Sequence, residues 1–250
     1  MTHVLVTRPL EASRQLAGEL GARGMFAVVM PMYTFAAHQP AVDMTAVWAT
    51  PQTRKLAVFT SPRAVQFGLA HIPQEQLDGL ELAVVGSATR AKLEASGYSV
   101  HLQAPTGFTS EDLLQVPELA EAPGKAVIFC APGGRDALQK GLTELGWDVV
   151  NAMVYERVAL QPETEQVEAL AGAESLLSVW TSISALELAR EQLPAPVWSK
   201  ILNSPALVIS SRIRQYLEQL GATHVELAIG PGNADLLQSI LWLTEREACS

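Results

Sequence analysis

Short, continuous apolar runs alternate with amphipathic stretches along the whole chain. The runs predict strands at residues 3–7, 26–30, 56–60, 82–86, 99–102, 126–130, 148–154, 176–181, 206–210 and 224–229. Helical spacing of apolar residues falls between most of them, at 10–20, 64–70, 89–96, 135–145, 185–192 and 212–220. Gly21, Gly97, Gly146 and Gly221 stand where those helices should stop, since glycine alone takes the left-handed cap at little cost. Strands that are apolar at every position, rather than every second one, belong to parallel sheets covered on both faces. So many strands exceed one small sheet, so the pattern predicts an α/β fold of two doubly wound, flavodoxin-like parallel-sheet domains.

An internal repeat agrees with that expectation. VLVTRP at 4–9 resembles VIFCAP at 127–132, and Tyr33 in MPMYTF has its counterpart in Tyr155 of MVYER. FTSPRAV at 59–65 matches WTSISAL at 180–186, and VGSATRAKLEASGY at 85–98 matches ISSRIRQYLEQLGA at 209–222. The offsets stay near ~120 residues, the size of one small α/β domain. Read this way, ELAEAPGK at 118–125 is the join between two copies.

The strand-to-helix junctions hold the chemistry. In VFTSPRAV, Thr60 or Ser61 can cap the coming helix and Pro62 fits its first position, where no amide hydrogen is needed. The helix N-terminus then offers unpaired N–H groups at the edge where doubly wound proteins bind ligands, and Arg63 adds a fork-shaped cation. Comparable junctions are Thr7-Arg8-Pro9, Gly86-Ser87-Ala88-Thr89-Arg90, Pro132-Gly133-Gly134-Arg135, Thr181-Ser182-Ile183-Ser184 and Ser210-Ser211-Arg212. Arginine follows in five of the six. Any one of these is an ordinary cap; together they suit a ligand with several carboxylates or phosphates. Tyr155, at the end of an apolar strand beside Glu156 and Arg157, is the strongest candidate for proton transfer.

Composition narrows the classes. A net charge of −9 argues against a nucleic-acid or anionic-membrane surface. The two cysteines, Cys130 and Cys249, read as a buried reduced thiol and a free tail thiol. MTHVLVTRPL is a strand rather than a leader, and no run of about 18 apolar residues occurs, so a cytoplasmic address is expected. Neither GxGxxG, GxxxxGK(S/T) nor GxSxG occurs, and the five histidines lack metal-ligand spacing.

Together VLVTRP, MPMYTF, VFTSPRAVQF, VVGSATRAKLEASGY, PTGFTSEDLL, MVYER, VWTSISALELA and LVISSRIRQYLEQLGA resemble the uroporphyrinogen-III synthase family over essentially the whole length. The resemblance implies a cofactor-free, cyclising hydro-lyase of haem biosynthesis. Its substrate would be hydroxymethylbilane, a linear tetrapyrrole with eight carboxylates. It implies two α/β domains flanking a cleft, one of residues 1–35 with 160–250 and the other of 36–159, with linkers near 31–40 and 155–162. It places Thr60, Ser61, Arg63, Thr89, Tyr155 and Ser182 at the substrate, with Tyr155 assisting departure of the hydroxyl. Arg8, Ser87, Arg135, Thr181, Ser211 and Arg212 join them from the junctions, and Thr106 from the loop at 105–109. At 228–233 the chain reads AIGPGN where the family often has a hydroxyl, which leaves Gly232 and Asn233 to offer amides. The chain is expected to act as a monomer without nucleic-acid or membrane partners. The alternative is a two-lobed binding protein for a polyanionic solute.

Overall fold

The computed structural model describes residues 2–49, 54–77, 79–104, 107, 109–133 and 136–248. It divides into two units, Met1–Thr34 with Val158–Ser250 (unit 1) and Phe35–Arg157 (unit 2). In unit 1, β1 (Thr2–Val6) leads through α1 (Leu10–Gly21) to β2 (Phe26–Val29), and β3 (Tyr33–Ala37) enters unit 2. There follow α2 (Met44–Trp48), β4 (Lys55–Phe59), α3 (Pro62–Gly68), α4 (Gln74–Leu77), β5 (Leu80–Val84) and α5 (Ser87–Ala95). Unit 2 continues with β6 (Leu102–Gln103), α6 (Ser110–Leu113), β7 (Lys125–Cys130), α7 (Ala137–Glu144) and β8 (Asp148–Met153). After β9 (Tyr155–Ala159) the chain is back in unit 1, with α8 (Thr164–Gly172), β10 (Ser175–Trp180), α9 (Ile183–Gln192) and α10 (Ala195–Leu202). Last come β11 (Ala206–Val208), α11 (Ser211–Gln219), β12 (Val225–Leu227) and α12 (Asn233–Ala248).

Each unit is built on a five-stranded sheet, in order β12-β11-β10-β1-β2 in unit 1 and β6-β5-β4-β7-β8 in unit 2. All pairings within the two sheets are parallel. The continuous apolar runs are explained by two cores per sheet, one on each face. On β4, Ala57 and Phe59 join one cluster with Val127 and Phe129, while Leu56 and Val58 join another with Ala126 and Ile128. On β1, Leu5 faces one cluster and Val4 and Val6 the other. Each Val, Leu, Ile or Phe among them, fully removed from water, contributes about 1.5–3 kcal/mol before entropy is counted.

The chain passes between the units at 34/35 and 157/158, within the stretches 31–40 and 155–162, and there it forms β3 and β9, which pair with each other as a two-stranded sheet. Several other expectations change. The run at 99–102 yields only the two-residue β6, at the edge of its sheet. The segment 118–125 is not a join between copies; it lies inside unit 2 and runs straight into β7. Gly97, Gly146 and Gly221 do take left-handed conformations after their helices, but Gly21 is the last residue of α1 and Gly24 takes the left-handed turn instead, at φ 77°. Among the described residues, no helix is long and apolar enough to cross a membrane.

Candidate functional site

Because the strands are parallel, each sheet gathers its junctions along one edge. In unit 2 the loops after β5, β4 and β7 lie side by side; in unit 1 those after β11, β10 and β1 do. This is the edge at which open α/β sheets take ligands.

The best-formed arrangement is in unit 2. Ser61, with extended backbone (φ −160°, ψ 163°), caps α3 by accepting the Ala64 N–H at 3.1 Å, and Pro62 occupies the first turn. Thr60 is therefore not the cap; its hydroxyl donates to the Phe129 carbonyl at 3.0 Å. The Ser61 Oγ also lies 2.9 Å from the Tyr155 Oη, and either can be the donor. Tyr155 is 9% exposed, its ring stacked on Phe67 at 5.9 Å and edge-on to Phe35 at 5.8 Å. The phenol is thus fixed by packing on two sides and by one hydrogen bond at its tip.

Phe35, Thr60, Ser61 and Tyr155 line a cavity of about 1000 Å³ that also takes in Arg63, Thr109, Cys130, the Ala131–Gly133 turn, Asn151 and Arg157. Arg63 donates to the Gln66 side chain at 2.6 Å and lies over the Phe35 ring at 5.0 Å. Burial pushes the Cys130 thiol up, which makes it a poor nucleophile at neutral pH. Thr109 is spent locally, in a reciprocal capping box with Asp112.

Unit 1 repeats the central device. Ser182 caps α9 by accepting the Ala185 N–H at 3.2 Å, and Tyr33 donates to its Oγ at 3.2 Å. Tyr33 and Tyr155 each open their strand, β3 and β9. With two donors already on the Ser182 oxygen, its own hydrogen is the group left to offer a ligand.

The remaining candidates fall elsewhere. Thr89 is 3% exposed on the inner side of α5, and Ser87 is exposed at its start; neither lines the cavity. Thr181 is half-buried beside Ser182, while Ser211 and Arg212 are exposed in the first turn of α11, where Ser210 is the cap. At the first junction, Thr7 is buried and its hydroxyl donates to the Val179 carbonyl at 2.8 Å. Arg8 is tied to the Asn233 side chain and, at 3.0 Å, to the Pro231 carbonyl, and burial lowers its pKa from the ordinary arginine value. The backbone amide of Gly232 is taken by the Asp235 carboxylate at 3.1 Å, and the Asn233 side-chain amide donates to the Ala12 carbonyl at 3.0 Å, so the 228–233 loop is braced against α12 and α1. Thr106, Arg135 and Cys249 lie outside the described residues.

Site reasoning from sequence passed over Tyr33, Phe35 and Arg157. Tyr33 was visible in the repeat as the counterpart of Tyr155. Phe35 and Arg157 carry no local signal, because each matters only through a neighbour distant in sequence.

Comparison with known proteins follows the same lines. A family model described as uroporphyrinogen-III synthase HemD matches residues 14–238. Uroporphyrinogen-III synthase of Salmonella typhimurium is 29% identical over 248 residues, covering 95% of this chain and 99% of the relative. That of Escherichia coli is 27% identical over 245 residues, with the same coverage of 95% and 99%. Among solved structures, uroporphyrinogen-III synthetase from Helicobacter pylori superposes with a TM-score of 0.65 at 18% identity, covering 97% of this chain and all of that one. A mutant uroporphyrinogen III synthase from the extremely thermophilic bacterium Thermus thermophilus gives 0.60 at 17% identity, covering 98% of this chain and all of that one. These two likenesses speak for the fold.

Proposed function

The chain belongs to the uroporphyrinogen-III synthase family, and from that premise we propose that it cyclises hydroxymethylbilane to uroporphyrinogen III with loss of water and inversion of ring D. The observation that carries the reading is the Tyr155 phenol, held 2.9 Å from Ser61 at the wall of a 1000 Å³ cavity. The chemistry needs little more than that. The bilane closes unaided to the type I isomer, so the protein's task is to hold the chain in the less easy fold and to ease departure of the ring-A hydroxyl.

The proton at Tyr155 is the crux. Ser61 accepts from the Ala64 amide with one lone pair, and when it donates its own hydrogen to the Tyr155 oxygen, the phenol hydrogen is left free. That hydrogen is donated to the leaving hydroxyl, and water departs to give the azafulvene cation. The substituted carbon of ring D attacks the cation's electrophilic carbon, and the spiro intermediate opens and recloses with ring D turned over. The proton released when the ring regains aromaticity restores the phenol. In these later steps the protein positions rather than bonds, which suits a site whose half-buried thiol is held above its ordinary pKa.

Thr60, Ser61 and Arg63 are proposed to meet the substrate in unit 2, together with Ser87, Thr106 and Arg135, while Thr89, buried on the inner side of α5, is proposed to seat that helix. In unit 1 the proposed contacts are Thr181, Ser182, Ser211 and Arg212. Arg8 is proposed in a bracing role instead, because its guanidinium already holds the 231–233 loop. We place the enzyme in the cytoplasm as a monomer acting without a cofactor.

The test is direct. Hydroxymethylbilane is incubated with the protein, and the oxidised products are separated as porphyrin isomers. Type III in excess, formed faster than the spontaneous closure, is expected. Type I alone at the uncatalysed rate would overturn the reading in favour of a polyanion-binding protein.

A further inference from the structure

The unit 2 cavity reaches from the sheet face covered by α3 to the face covered by α7. Tyr155 belongs to the core cluster of the first face, whereas Ile128 and Leu138, which also line the cavity, belong to that of the second. On this second face a polar pair interrupts apolar surface. Asn151 is the register partner of Ile128 and follows Val149, which packs into the same cluster, by two residues. Asparagine is a poor strand residue, and half-buried among apolar neighbours it is costly unless partnered. Its partner is Gln139 of α7: the Asn151 Nδ2 donates to the Gln139 Oε1 at 2.8 Å, and both residues line the cavity.

Two amides joined by one hydrogen bond leave one carbonyl oxygen and one NH2 group over, whichever of them donates. Among the described residues neither spare group has a protein partner. Donation by Nδ2 also draws charge onto the Asn151 oxygen, which strengthens Oδ1 as an acceptor. A linear tetrapyrrole brings two kinds of polar group: carboxylates, which need donors, and pyrrole N–H groups, which need acceptors. Arg63, a donor only, can answer just the first kind. A pyrrole N–H taken out of water without an acceptor loses its hydration uncompensated. A neutral amide oxygen meets it without repelling the substrate's own carboxylates, as an acidic side chain would.

We propose that Asn151 accepts a hydrogen bond from a pyrrole N–H on one of the two middle rings of the bound bilane. Gln139 is the positioning residue that holds the Asn151 oxygen toward that ring. Asn151 and Tyr155 belong to opposite faces of the sheet, and the extended chain between them spans at most about 13 Å. The ring met by Asn151 is therefore not the ring that gives up its hydroxyl. The inference rests on the proposed function and deepens it: Tyr155 acts on the first ring, and Asn151 fixes how the rings behind it are laid.

The experiment sets hydroxymethylbilane against an analogue whose two middle rings are furans, close to pyrrole in shape but without the N–H. Wild type should favour the natural substrate in kcat/KM by about tenfold or more, the scale of one buried hydrogen bond left unmade. Asn151→Leu should raise KM for hydroxymethylbilane about tenfold, keep kcat within about twofold, and cut the preference by about tenfold. Gln139→Leu, which frees the Asn151 amide to turn, should lose part of the preference. Gln139→Glu keeps an acceptor for Nδ2, so it should retain the preference while its charge raises KM for both substrates alike. A purely structural Asn151 would shift stability, or both KM values together, and leave the preference whole. An undiminished preference in Asn151→Leu, or none in a wild type that forms the type III isomer, overturns the assignment alone. Type I product alone from wild type overturns the functional reading and the assignment with it.

Discussion

Removing the Tyr155 hydroxyl takes away one hydrogen bond and leaves the ring's packing on Phe67 and Phe35 intact. Tyr155→Phe is expected to lower kcat by about a hundredfold or more, the usual contribution of a placed proton donor. Its unfolding free energy should move by no more than about 1 kcal/mol, since Ser61 keeps its bond to the Ala64 amide. Steady-state kinetics and a urea titration check the pair, and an unaltered kcat would remove the phenol from the mechanism. Tyr33→Phe should behave differently, raising KM a few-fold with kcat nearly unchanged, because it frees Ser182 to turn. At this scale the sequence was informative where chemistry is local. VFTSPRAV announced a capped junction, although choosing Ser61 over Thr60 required the Thr60 bond to Phe129, 69 residues away. Arg157 was silent, since only the meeting of β3 with β9 brings it to Phe35.

Strands buried on both faces are legible, because a run such as LAVF at 56–59 has no other stable use; all four residues are fully buried. β3 and β9 escaped notice for the opposite reason: β9 is exposed at every position after Tyr155, so burial leaves no pattern on it. Helix α3 shows how an element is seated for function. Its last residue, Gly68, lies so near the sheet that an added Cβ would come within 2.8 Å of the Phe129 ring. That ring cannot retreat, being fully buried and stacked on Phe59 at 5.0 Å. Gly68→Ala should therefore destabilise the protein by about 1–3 kcal/mol, despite the roughly 1 kcal/mol that alanine gains over glycine in a helix. A higher midpoint in urea would show that α3 is not held against the sheet in this way. The same variant should lower activity, because tilting α3 moves Ser61 relative to Tyr155.

The repeat in the sequence was real as a pattern of junctions and misleading as a guide to where the chain is cut. Two copies in tandem would meet near 118–125, whereas the units exchange at 34/35 and 157/158. Sequence similarity records which strands correspond; it does not record which chain segments share a core. The cores decide that, and both clusters of unit 2 draw their residues from 35–157 alone. A fragment of residues 35–157 should accordingly unfold cooperatively in urea with its own midpoint, while 1–34 and 158–250 expressed separately should each fail to do so. A non-cooperative fragment would mean that unit 2 needs the rest of the chain to fold. Unit 1 has the harder task, and its strand order says when. β1 sits inside its sheet, yet Val179, which accepts the Thr7 hydroxyl, is 172 residues further along. On a ribosome adding some 5–20 residues per second, Val4, Leu5 and Val6 wait roughly 10–30 s for β10 to emerge. For that interval a sticky parallel edge is bare, so translation speed and chaperone supply should govern the yield of this protein more than its finished stability does.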